Sequence, residues 1–76
     1  PVAEHSPKEA LYAAALRAHG RGDAEQAEAL LRQAIAKDPG WAVPHNGLGI
    51  VLFAAGRHAE AEEAFRRAIA LESTWS

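Results

Sequence analysis

The sequence predicts an all-α fold of two stacked helix–turn–helix hairpins. Three observations predict it. First, the stretch from Gly22 to Ala36 returns 34 positions on (56 − 22) as Gly56 to Ala70. Glu28 is matched by Glu62, Arg32 by Arg66 and Ile35 by Ile69, and beyond the stretch Trp41 is matched by Trp75. Alanine matches are cheap in a chain this rich in alanine. Glycine, glutamate, arginine, isoleucine and tryptophan recurring at one spacing mark a repeat architecture. Second, apolar residues recur at helical spacing and no strand pattern appears. Third, stop signals at Gly20-Arg21-Gly22, Asp38-Pro39-Gly40 and Gly56-Arg57 cut the chain into four segments of helix length.

Each element has its own grounds. Pro1 to His5 read as a lead-in. The chain begins without methionine, as expected of a processed or trimmed segment of something longer. Ser6-Pro7-Lys8-Glu9 is a helix start, with Ser6 as cap, Pro7 in the first helical position and Glu9 closing a capping box. The first helix carries the stripe Leu11, Ala14, Ala15 and Ala18. Asp23 caps the second, whose apolar face is Ala27, Leu30, Leu31, Ala34 and Ile35. Glu28 and Arg32 form an i, i+4 pair there in the favourable orientation. The third helix is expected from about Ala42 to Ala55, with Pro44 in its first turn. Its apolar residues Leu48, Ile50, Val51, Leu52 and Phe53 span more than one stripe, so it should be buried on more than one side. Gly47 and Gly49 each lower helix propensity by roughly 1 kcal/mol against alanine, which suggests close approach of a neighbouring backbone. The fourth helix is expected from about His58 to Leu71, with Ala61, Ala64, Phe65, Ala68, Ile69 and Leu71 inward. Glu62–Arg66 and Glu63–Arg67 decorate its outer face.

Bulk properties narrow the class. The 76 residues make one small domain, 1–76, with a modest core. A net charge of −2 gives no reason to expect nucleic acid or an anionic membrane as partner. There is no cysteine, so disulfides are excluded. No apolar run approaches the roughly 18 residues that span a bilayer.

Two 34-residue units, about 8–41 and about 42–75, resemble tetratricopeptide repeats. The pattern is a bulky residue, Leu-Gly and Tyr on the first helix, then Ala, an aromatic and Pro on the second. In the second unit Leu48-Gly49, Leu52, Ala61 and Phe65 hold those places. In the first they are Leu11, Ala14-Ala15, Ala18, Ala27, Leu31 and Pro39. The resemblance implies an α-solenoid fragment in which Gly49 and Ala15 face Ala61 and Ala27 where paired helices cross, and Leu31 or Phe65 fills the wedge below. The sequence departs from the pattern at His45 in the bulky place, Ala18 and Leu52 for tyrosine, and Ser73 for proline.

Chemistry-bearing residues do not assemble into a reactive set. His5, His19, His45 and His58 include no pair at the i, i+4 spacing of a zinc motif. Ser6, Ser73 and Ser76 have no base suggested beside them. The glycines match neither a phosphate loop nor a dinucleotide fingerprint. Glu60, Glu62 and Glu63 read as a solvated helix face. No enzyme activity, metal or cofactor is expected.

The resemblance implies instead a concave groove lined by the first helix of each unit, taking a protein or peptide segment. By position it points to Glu9, Tyr12, Leu16 and His19, and to Val43, Asn46, Ile50 and Phe53. Inter-helix packing is the competing reading for Leu16, Ile50 and Phe53. For Asn46 the competing readings are helix capping and plain exposure. Tyr12 and Leu16 stand where a carboxylate-gripping subclass needs Lys and Asn, which argues against that ligand class. The expected function is an adaptor or scaffold module. The alternatives are self-association as a homodimer through the open apolar end, at Phe65, Ala68 and Leu71, or an accessory domain of a larger enzyme. The end is expected to be covered by the 73–76 tail carrying Trp75, by a second copy or by following sequence.

Overall fold

A computed structural model describes residues 7–73. Four helices follow in order: α1 (Pro7–Gly20), α2 (Ala24–Lys37), α3 (Ala42–Ala54) and α4 (His58–Ser73). Among the described residues there is no strand. The Ser6 cap, His5 and the Trp75 tail fall outside them.

The two hairpins close in the same way. Gly22 and Gly56 take φ of 81° and 83°, the left-handed region that side-chain-bearing residues rarely adopt. The following amides, Asp23 N and Arg57 N, each donate at 2.9 Å to a carbonyl five residues back, Ala18 and Leu52. This six-to-one bond and the glycine before it are the Schellman ending of a helix. Both turns therefore repeat at 34 residues (56 − 22), hydrogen bonds included. Asp23 also caps α2, accepting from Gln26 N at 3.2 Å.

Between the hairpins the chain is held from two sides. Asp38 Oδ1 accepts from Gly40 N at 3.3 Å, and Asp38 Oδ2 accepts from Lys8 Nζ at 2.5 Å. The Lys8 ammonium lies 4.7 Å from the Trp41 ring centre, and Tyr12 meets that ring edge-on at 5.7 Å. The start of α1 is thereby clasped to the α2–α3 connection.

The stacking makes α3 the central helix. It packs on α2 on one side and α4 on the other. Its buried residues run from Pro44 through His45, Gly47, Leu48, Gly49, Val51 and Leu52. The core they join consists of Ala15, Ala18, Ala27, Leu31, Ala61 and Ala64. His45 stands at the place where the repeat pattern has a bulky residue. It is 6% exposed, and its Nε2 lies 3.3 Å from the Pro39 carbonyl oxygen. That bond needs the Nε2–H form and satisfies a ring nitrogen that would otherwise be buried bare.

Two expectations are corrected. Ile69 does not point inward: it is 63% exposed, because Phe65 and Ala68 hold the part of α4 that turns toward α3. Neither Gly47 nor Gly49 makes room for a neighbouring backbone: the nearest atoms are side chains, Leu31 and Tyr12 at Gly47 and Phe65 at Gly49. A methyl group at Gly49 would lie 2.7–2.8 Å from three ring carbons of Phe65, so the missing side chain seats that ring. The helix ends differ slightly from expectation, α3 stopping at Ala54 and α4 running on to Ser73, whose hydroxyl donates to the Ile69 carbonyl at 2.8 Å.

Candidate partner-binding surface

The helix positions of α1 and α3 decide which side chains remain free. On α3 the core takes Leu48, Gly49, Val51 and Leu52, and Val43, Ile50 and Phe53 lie outside that stripe. Val43, Ile50 and Phe53 are 40%, 47% and 59% exposed. Leu16 on α1 is 50% exposed. The packing reading of Leu16, Ile50 and Phe53 therefore leaves about half of each side chain unaccounted for. Asn46 is exposed and is the fifth residue of α3, too far in to be its cap. Glu9 is exposed, and His19 is half-buried.

Tyr12 has a packing role as well. Half-buried, it meets Trp41 and lies against Gly47 of α3, where a methyl group would lie 3.4 Å from its Cε1. The structure places Tyr12, Val43 and Asn46 on one cleft of about 420 Å³, together with Ala42, Phe65, Ala68, Ile69 and Glu72. Phe65 and Leu71 are half-buried, and Ala68 is buried. At the far end of α3, Phe53 carries a stacked neighbour. The His58 ring lies 4.7 Å away at 25°. The two are five positions apart across a turn, and no spacing rule marks such a pair.

The α2–α4 side has a different character. A cleft of about 290 Å³ there is lined by Arg32, Glu60, Glu63 and Arg67 around Ile35, His45 and Leu48. Its charges are matched within the chain. Glu28 receives Arg32 at 2.9 Å and Arg57 at 2.7 Å, Arg57 also reaches Glu60 at 2.6 Å, and Arg67 faces Glu63 at 3.6 Å. Burial opposes ionisation of Glu28, but the hydrogen bonds from Arg32 and Arg57 outweigh it and hold the carboxyl below its ordinary range. Glu60 is lowered by its hydrogen bond from Arg57, and Asp38 by that from Lys8. Arg57 is raised by Glu60 and Glu28.

Among the described residues no group of three or more histidine, cysteine or acidic side chains is placed to hold a metal ion, and no helix is long and apolar enough to cross a membrane. The exposed large apolar side chains are Leu16 on α1, Val43, Ile50 and Phe53 on α3, and Ile69 on α4.

A family model described as tetratricopeptide repeat matches residues 18–74. No curated protein and no solved structure matches the chain.

Proposed function

The chain belongs to the tetratricopeptide repeat family, and from that premise we propose that it is an interaction module holding a peptide segment of a partner protein along the α1–α3 face. Repeats of this family generally mediate protein–protein interaction and are typically non-catalytic. The observation that carries the reading is the exposure of Leu16, Val43, Ile50 and Phe53 on the two first helices. These side chains supply an apolar floor. Asn46 supplies a side-chain amide able to pair with a peptide backbone as donor and acceptor, and Tyr12 and His19 add polar tips. A short channel of this kind suits an extended or helical segment bound by side-chain burial and a few hydrogen bonds, with an affinity on the order of micromolar or poorer.

The experiment is to identify a partner by capture on the intact chain and to titrate it against variants. Leu16→Ala and Ile50→Ala should each weaken binding about tenfold while leaving the circular dichroism unchanged, because neither side chain is buried in the core. Asn46→Ala should do the same without touching the fold. Tyr12→Ala is a poorer probe, since it also removes packing on Trp41 and α3. Unchanged affinity in all three outward variants would place binding elsewhere.

A further inference from the structure

His45, in the α2–α4 cleft, is a buried polar group with one ring nitrogen unused. It is 6% exposed, and its translate 34 positions back (45 − 34) is the wholly apolar Leu11. Its Nε2 lies 3.3 Å from the Pro39 carbonyl oxygen. A carbonyl only accepts, so Nε2 carries the proton and donates it. In the neutral ring Nδ1 is then a bare acceptor, and no residue among the described ones donates to it. An unmatched buried acceptor costs free energy that a donor would restore.

The ring is part of the wall of that cleft. Ile35 of α2, Leu48 and Leu52 of α3 and Ala64 of α4 make the rest of its floor apolar. An apolar cavity of about 150 Å³ suffices for benzene, so the cleft's 290 Å³ admits two fused rings. Its rim carries two guanidiniums, Arg32 and Arg67, and two carboxylates, Glu60 and Glu63, so the charges cancel. Each is already engaged: Arg32 by Glu28, Glu60 by Arg57 and Arg67 by Glu63.

These features select a class of occupant. An ion of either sign would meet a neutral rim whose charges are paired, so neither is favoured. A peptide backbone would find no unengaged rim charge to bond. A purely apolar ring would cover the floor and leave Nδ1 bare. Water can satisfy Nδ1 but does not cover the floor. A flat aromatic with a single N–H does both. The cleft shares no lining residue with the proposed peptide groove, so the two sites stand or fall separately.

We propose that the α2–α4 cleft binds a small, uncharged, indole-type molecule whose ring N–H donates to His45 Nδ1. The test titrates indole into the isotopically labelled intact chain and follows the methyl signals of Ile35, Leu48 and Leu52 by NMR. Saturable shifts are expected there, with an affinity on the order of millimolar, while the signals of Leu16 and Ile50 stay in place. 1-Methylindole, which lacks the donor, should bind about tenfold more weakly. His45→Phe should abolish that difference, and the comparison of the two ligands in the unaltered chain needs no variant. Ile35→Ala, a change at a half-buried residue, should weaken indole threefold or more. Absence of saturable shifts overturns the proposal and leaves water as the partner of Nδ1. Equal binding of the two ligands, a preference that survives His45→Phe, or binding indifferent to Ile35→Ala overturns it as well. N-acetyltryptophanamide binding tenfold more tightly than indole overturns it in favour of a partner's tryptophan side chain. A tenfold gain in indole affinity on removing residues 74–76 overturns it in favour of the chain's own Trp75.

Discussion

Gly47 and Gly49 sit two residues apart in α3, and a methyl group at each meets different neighbours. At Gly49 it would collide with the Phe65 ring at 2.7–2.8 Å. At Gly47 the nearest atoms are side-chain carbons at 3.3 and 3.4 Å. Alanine at either position gains roughly 1 kcal/mol of helix propensity. Overpacking at Gly49 costs about 1–3 kcal/mol, whereas at Gly47 a small shift of Leu31 and Tyr12 accommodates the methyl. Gly49→Ala should therefore lower the melting temperature, and Gly47→Ala should change it less or raise it. A thermal melt of the two variants checks the order, and the reverse order would mean that Phe65 does not cover Gly49. Shortening the ring in Gly49→Ala/Phe65→Leu should recover part of the loss, because the two sites are coupled through contact.

Among the elements, the ion network ties α2 to the α3–α4 turn. Glu28 and Arg57 are 29 positions apart in sequence and 2.7 Å apart in space. Because the folded-state pKa of Glu28 is lowered, its stabilisation is present above the unfolded value and lost as pH falls through the folded one. Stability should thus decline as pH drops below the ordinary carboxylate value of 4.5. Glu28→Gln should flatten that decline and, discounted for solvent screening, cost on the order of 1 kcal/mol or less at neutral pH. Urea titrations of both proteins between pH 3 and 7 check this, and equal pH slopes would contradict it. The pair also shows where sequence reasoning stops. Glu28–Arg32 and Glu62–Arg66 follow from i, i+4 spacing, and the helices follow from caps, stops and stripes. Glu28–Arg57, Lys8–Asp38 and Phe53–His58 depend on how the helices are placed against one another, which no local spacing encodes. The exposure of Ile69 has the same origin. Its translate Ile35 lies beside α3, with His45 and Leu48 on the same cleft, but Ile69 has no following helix among the described residues. The outward row Leu16, Ile50 and Phe53 was legible from periodicity and resemblance, but its competition with packing could be decided only by burial.

For the molecule as a whole, stacking two similar hairpins produces two dissimilar sides. The α2–α4 side carries a network of paired charges, with Ile69 left exposed on α4, and the α1–α3 side carries apolar side chains left half in water. A chain this small has a thin, alanine-rich core, so leaving Leu16, Val43, Ile50 and Phe53 outside it forgoes apolar burial of about 25 cal/mol per Å². A partner that covers them recovers that burial at the interface. The most direct measurement is the hydrogen-exchange footprint of the captured partner on the intact chain, read peptide by peptide. Slowed exchange over residues 9–19 of α1 and 43–53 of α3, with α2 unchanged, is the predicted result. Protection confined to α2 and the outer face of α4 would contradict the assignment of the binding surface.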